Sequence, residues 1–244
     1  MRYCRISDNP CDLEDCPALF RDGHDDRRVI ARGELLAPTD EIVLEDQEAA
    51  VVVPALYVIA AAAELGGGLT RVDYVRMFRV FATDAFRIET RDHYDVAAEA
   101  PAIAEFDATG RIIIYEGKQN WLDKVTAHTA AGRTIRRVHT VHASRLSAYL
   151  RWEFTSQATT NVPAGEDIRV LDLDHHPELA TEEDVWIFDD AVGVKMWQPT
   201  PDGANNGVAR ATAAELDAYR AWQAEAWRVA VPLPEFVDKI GLAA

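Results

Sequence analysis

A block of arginines in the middle of the chain has residue types suited to anion recognition. Residues 124–152 contain no Asp or Glu, yet carry Lys124, Arg133, Arg136, Arg137, Arg145 and Arg151. At the chain's average acid frequency that stretch would hold about five carboxylates. Guanidinium forks match phosphate and carboxylate geometry. Arg133, Arg136 and Arg137 on a strand, with Arg145 and Arg151 on the next helix, therefore define a candidate face for a nucleotide, a phosphorylated signal or an acidic partner segment. Tyr149 and Glu153 stand four apart, so one helix face can offer both to the same ligand. Asn161 follows. Glu166, after Gly165, opens a strand where its carboxylate can hold an arginine such as Arg137 or a ligand hydroxyl.

A blander arrangement competes with this one. Residues 172–190, "DLDHHPELATEEDVWIFDD", are acid-rich and contain no Lys or Arg. The two stretches could pair across the fold and leave no free positive face. Strand alternation also prevents "RTIRRV" from placing every arginine on one side.

The remaining chemistry-bearing residues are sparser. Cys4, Cys11, Cys16 and His24 could supply four ligands to a structural zinc, although the spacing lacks the C-x2-C knuckle of a recognisable zinc site. Reduced or partly buried thiols are the alternative. "LDLDHH" offers Asp172, Asp174, His175 and His176 at a strand end, as a metal site or as a solvated terminus. His128, His139 and His142 read as surface residues, and Asp189 and Asp190 as turn residues. No nucleophile elbow, phosphate-binding loop, dinucleotide fingerprint or H-E-x-x-H zinc motif is present. No catalytic residue is therefore assigned.

The balance of 41 acidic against 25 basic residues, a formal net charge of −16, argues against non-specific binding to nucleic acid or an anionic membrane. No helix with basic flanks suggests direct DNA reading. The most apolar run, 49–63, is interrupted by Pro54 and falls short of the roughly 20 residues of a membrane-spanning helix. The opening "MRYCRISDNPCDLEDCP" lacks the apolar core of a signal peptide. All three cysteines lie in it, which is no secreted disulfide framework. A cytoplasmic protein is expected.

The elements that would position these residues give an α+β fold: a small N-terminal β-rich module (1–65) and a larger mixed-sheet domain with packed helices (70–244). Short β-like pieces, "PALFRD", "RRVIARGELL", "EIVLE" and "AAVVVP", lead into a helix from Ala55 to Leu65, and Gly66–Gly68 form a joint. "RVDYVRMFRVF" has helical spacing through Val72, Val75, Met77, Phe78 and Phe81. "AFRIET" alternates as a half-buried strand should. Residues 97–106 suit a helix with Pro101 in its first turn, "RIIIYE" a strand, and "NWLDKVTAHTAAG" a helix stopped at Gly132. Ser144 suits the cap of the helix bearing Leu146, Leu150 and Phe154. "NVPAGED" reads as a loop and "IRVLDL" as a strand. "VWIFDD" and "GVKMW" read as a hairpin, "PDGANNG" as a turn, and 212–229 as a helix burying Leu216, Tyr219, Trp222 and Trp227.

In order along the chain, "FRIETRDHYD", Trp121, "AGRTIRRV", "YLRWEF", "NVPAGEDIRVL", "VWIFDD", "KMW" and "AWRVAVPL" resemble an uncharacterised actinobacterial family known as a domain of unknown function. The resemblance spans about residues 75–235, and the stretch "FDATGRIIIYEGKQ" departs from the family's spacing. The first 65 residues are similar to a small actinobacterial protein with a cysteine pair before a "CP". Family members often stand beside helix-turn-helix regulators, which implies a partner of that kind. The expectation is a non-enzymatic regulatory or ligand-sensing protein acting through a protein partner, with Arg133, Arg136, Arg137, Tyr149, Arg151, Glu153 and Glu166 as its anion or partner site. An enzyme acting on a phosphate-containing small molecule or nucleotide, and a structural scaffold, are the alternatives.

Overall fold

The computed structural model describes residues 3–5, 18–22, 29–32, 34–35, 51–52, 55–65, 68–196 and 207–242. Strands β1 (Tyr3–Arg5), β2 (Ala18–Asp22) and β3 (Val29–Arg32) form one antiparallel sheet. Strands β4 (Glu34–Leu35) and β5 (Val51–Val52) pair antiparallel. Helix α1 (Ala55–Leu65) has the limits expected for it. Helix α2 (Arg71–Val80) begins with a capping box. The Thr70 hydroxyl accepts from the Asp73 amide, while the Asp73 carboxylate accepts from the Thr70 amide.

A seven-stranded mixed sheet organises the rest. Its first strand, β6 (Asp84–Glu89), is followed by α3 (Ala100–Thr109) and α4 (Glu116–Ala130). Next come β7 (Thr134–Val141), α5 (Ala148–Ser156), α6 (Val162–Ala164) and β8 (Asp167–Asp172). The hairpin β9 (Asp184–Phe188) and β10 (Val192–Met196), then β11 (Val208–Arg210), α7 (Ala213–Val229), β12 (Val231–Pro232) and α8 (Leu233–Lys239) complete it. Strand order is β11-β10-β9-β6-β7-β8-β12. The helix-linked strands β6, β7 and β8 run parallel, as helical crossovers require, and the hairpin-linked neighbours are antiparallel.

Both faces of this sheet are covered. Phe86, Ile88, Val138, Leu171, Val185 and Ile187 meet Leu216, Tyr219 and Ala226 of α7 on one face. The opposite face carries Ala85, Ile135, Trp186 and Phe188 under α1 and α2, and Val141, Ile168 and Val170 under α5 and α8. Leu56, Tyr57, Ala60 and Ala61 of α1 thus share a core with the large sheet, although the sequence places that helix in the N-terminal module.

Several expected elements differ. Residues 111–115 form no strand: three consecutive isoleucines cannot all face a core, so Ile112 and Tyr115 pack inward while Ile113 and Ile114 stay exposed. Ser144 does not cap α5. Asp172 and Asp174 accept from the Ala143 and Ser144 amides and hold 143–145 as a 3-10 turn. The helix therefore starts three residues later, with Ser147 Oγ accepting from the Leu150 amide at 3.1 Å. The region expected as a loop at 161–167 is helical as far as Ala164, through a π turn at Gln157–Asn161 into α6, and only Gly165 and Glu166 link α6 to β8. Val72 and Val75 of α2 are exposed, and Tyr74 takes the inward position beside Phe78. "EIVLE" and "PDGANN" lie outside the described residues.

Candidate functional site

The covered face of β6 and β7 carries charge where a core would carry hydrocarbon. Side chains alternate along a strand, so Arg87 and Glu89 of β6 share one face. In parallel register they adjoin Arg137 and His139 of β7. Trp186 of β9 lies opposite Arg87. All five are buried. Above them, α2, α4, α5 and the segment 94–99 enclose a cavity of about 300 Å³. Its walls include Arg87, Glu89, Arg137, Tyr149 and Glu153, with Lys118 and Glu99 toward the mouth and Tyr74, Trp121, Trp152 and Trp186 as aromatic sides.

Arg137 is the hub. Its Nε and Nη2 donate to Glu166 Oε1 at 2.9 and 2.6 Å, and its Nη1 donates to Glu89 Oε2 at 2.6 Å. Glu166 is fixed from behind by Trp121 Nε1 at 2.8 Å and Asn161 Nδ2 at 2.6 Å. Local backbone makes this possible. The π turn aims Gln157 and Asn161 inward, and π turns often serve this purpose at functional sites. Gly165 then adopts φ +108 to end α6 and deliver Glu166 to β8. A Cβ there would stand 2.6 Å from Thr129 Oγ1, so glycine is needed for both conformation and space.

A second carboxylate pins the β9 side. Asp184 Oδ1 accepts from Tyr94 Oη and the Thr90 amide, both at 3.0 Å, and Oδ2 lies 3.6 Å from Arg87 Nη2. Near the mouth, Tyr115 and Tyr149 each donate to Glu99 at 2.9 Å.

Burial and charge drive the titrating groups apart. Burial alone would raise the Glu89 carboxyl, but Arg137 and Arg87 hold it down at about 2. Burial, reinforced by the Glu89 charge, pushes Glu153 well above the carboxylate range. Burial lowers Lys118 to about 8, with Arg137 adding repulsion. Burial also lowers His139, leaving it neutral near pH 7. Arg87 Nη1, Trp152 Nε1, Glu153 Oε2 and Gln157 Oε1 have no hydrogen-bond partner among the described residues. The residues round the cavity thus hold both unused donors and unused acceptors, as a site for a small polar molecule does.

Of the residues expected from sequence, Arg137, Tyr149 and Glu153 meet at this cavity and Glu166 stands directly behind Arg137. The other three arginines lie elsewhere. Arg136 faces α7, where it donates to both oxygens of Asp84 at 2.7 Å and stacks near Phe86 and Trp227. Arg133 sits over Phe81 and donates to His128, and Arg151 is exposed on α5. Alternation along β7 separates Arg136 from Arg137. Arg136 pairs with Asp84 and Arg137 with Glu89 and Glu166, whereas Asp184, within the acid-rich stretch, faces Arg87.

His139 corrects a sequence expectation: it is 0% exposed, because both faces of β7 are covered. Asp172 and Asp174 clamp the turn after β7, with His175 and His142 as their respective partners. Asp189, at φ 52, accepts from the Ala82, Thr83 and Asp84 amides and so holds the start of β6. Cys11, Cys16 and His24 lie outside the described residues, and Cys4 is described only as backbone of β1. Among the described residues, Glu89, His139 and Glu153 bring one ligand atom each within 4.8 Å of one another.

Arg87, Glu89 and Lys118 are absent from the sequence-based set. A signal existed in "FRIE" and "RRVH", which both carry charge at alternating positions. On strands with neighbours on both edges and helices on both faces, such charges must be internal.

A mixed α+β sheet with a charged, aromatic-walled cavity under its helices defines the class of domain. The chain belongs to the family described as Domain of unknown function (DUF6879), which matches residues 73–238. No curated protein and no solved structure matches it.

Proposed function

We propose that this protein is a non-enzymatic ligand sensor that binds a small polar molecule in the cavity between α2, α4 and α5 and passes the response to a protein partner. The observation that carries the reading is the set of partnerless donors and acceptors around a cavity of about 300 Å³. That volume lies at the lower end of the roughly 300–1,000 Å³ usual for small-molecule sites. Arg137 is already engaged by Glu89 and Glu166, so it organises the site. Arg87 Nη1 and Lys118 are the cations left to meet an anionic group of the ligand, with tryptophans beside them for a planar portion.

The partner side of the proposal rests on the family resemblance: a helix-turn-helix regulator in an actinobacterial cytoplasm. The cysteine-bearing N-terminal region, with Cys4, Cys11, Cys16 and His24, would supply a separate structural zinc. Because the chain is acidic, any effect on DNA is expected to pass through the partner.

Trp121, Trp152 and Trp186 border the cavity, so tryptophan emission reports its occupancy. Amino acids, nucleoside monophosphates and sugar phosphates are titrated against the protein and its Lys118→Met/Gln157→Leu variant. The reading expects one class to saturate the wild-type signal and lose affinity in the variant. No response from any class, or an equal response from the variant, overturns it. Chemical conversion of the bound molecule would move the protein to the enzyme class.

A further inference from the structure

Beside the cavity, two side chains have potential ligand atoms that hydrogen bonding does not explain. His139 is fully buried, and its Nε2 lies 3.1 Å from the Arg91 carbonyl oxygen. That contact fixes the proton on Nε2 and leaves Nδ1 as a bare lone pair. Nδ1 has no hydrogen-bond partner among the described residues, nor has Glu153 Oε2. Yet Nδ1 stands 3.5 Å from Glu89 Oε2 and 3.8 Å from Glu153 Oε2. One imidazole lone pair and two carboxyl groups thus offer atoms within 4.8 Å of one another, as the ligands of a single ion do.

From this we infer that Glu89, His139 and Glu153 bind a divalent first-row transition cation, with its remaining coordination positions open toward the cavity. Bonds of about 2.0–2.2 Å to nitrogen and oxygen separate neighbouring ligand atoms by roughly 3–3.6 Å, so a small inward movement of Glu153 completes the set. The three ligands come from β6, β7 and α5, which the sheet and its covering helix hold together.

The outer groups fit. A ligating histidine ordinarily donates its other N–H to a carbonyl or carboxylate, as His139 does to Arg91. Glu89 Oε2 accepts from Arg137, and a carboxylate oxygen has a second lone pair for an ion. One imidazole with two carboxylates suits zinc, manganese or iron better than magnesium or calcium, which favour oxygen alone. The inference adds an occupant to the cavity and rests on the ligand-sensing reading only for what fills the open positions.

The test uses the full chain, stripped with chelator and kept free of organic ligand. Mn2+ is added first, because hard manganese avoids the N-terminal thiols, and free ion is followed by electron paramagnetic resonance. Uptake of one Mn2+ per chain, weakened at least about tenfold by Glu153→Gln, is expected. Co2+ should give weak ligand-field bands that persist, free of thiolate charge transfer, in a Cys4→Ser/Cys11→Ser/Cys16→Ser variant. Mn2+ remaining free, equal uptake by Glu153→Gln, or a cobalt spectrum of thiolate type alone overturns the inference. If Glu153→Gln does not fold, the cobalt spectra of the wild-type and cysteine-free chains decide. Metal uptake without any tryptophan response to small molecules would keep this inference and remove the ligand-sensing one.

Discussion

Arg137→Met separates an organising arginine from a surface one. The guanidinium makes three charge-assisted hydrogen bonds, at 2.6, 2.6 and 2.9 Å, to two buried carboxylates. Methionine replaces much of the volume but leaves Glu89 with only the more distant Arg87, 3.5 Å away. It leaves Glu166 with Trp121 and Asn161. Breaking a buried pair by removing one partner costs about 3–5 kcal/mol. In a domain of this size each kcal/mol lowers Tm by about 2–4 °C, so a drop of roughly 6–20 °C is expected. Adding Glu166→Gln removes one stranded charge and should recover about 1–2 kcal/mol, a coupling within the range seen for contacting residues. Arg151→Ala, exposed on α5, should stay within about 0.5 kcal/mol of wild type. Urea unfolding followed by circular dichroism measures all four chains. If Arg137→Met costs under about 1 kcal/mol, like Arg151→Ala, the buried network does not exist as described and the account fails.

Other positions give sharper local tests. Gly165→Ala must accept φ +108 and a 2.6 Å approach to Thr129 Oγ1, so its urea midpoint should fall by the equivalent of about 2 kcal/mol or more. Asp189→Ala removes the acceptor for three amides at the start of β6 and should cost about 2–3 kcal/mol by the same assay, whereas an exposed turn aspartate would cost almost nothing. Lys118→Met should stabilise the protein at pH 7. Lys118 titrates near 8 when folded, lowered by burial and by Arg137, against about 10.4 in an unfolded chain. Below pH 8 it is charged in both states and its burial cost is fully present. Between those values the folded state binds fewer protons, so that cost fades as pH rises. The stability advantage of the variant, about 1–2 kcal/mol after solvent screening of a half-buried group, should therefore shrink toward pH 10.

The sheet strands and most helices were legible because their signals are local. Alternation in "AFRIET", the "VWIFDD"/"GVKMW" hairpin and the helix from about Thr212 depend on nearest neighbours. The Arg137–Glu166 contact was foreseeable from a carboxylate opening the strand after Gly165. What stayed hidden depends on coverage. Whether Arg87, Glu89 and His139 face water or a helix is decided by α2, α4 and α5, which no single strand encodes. Compositional clustering also misled, because adjacency in "RR" puts Arg136 and Arg137 on opposite faces of β7. The π turn was illegible for a similar reason: one extra residue in a helical turn leaves no pattern in "QATTN".

The central claim is that the cavity over Arg137 holds a small molecule. Native mass spectrometry of the protein purified from its own host tests it most directly. Alongside it runs Ser156→Phe, which directs a ring from the buried Ser156 position on the cavity wall into the space. The account predicts a small-molecule adduct on the wild-type chain that is absent from folded Ser156→Phe. Wild-type and variant spectra that both sit at the mass of the chain alone, or an adduct that survives the filled cavity, would contradict it.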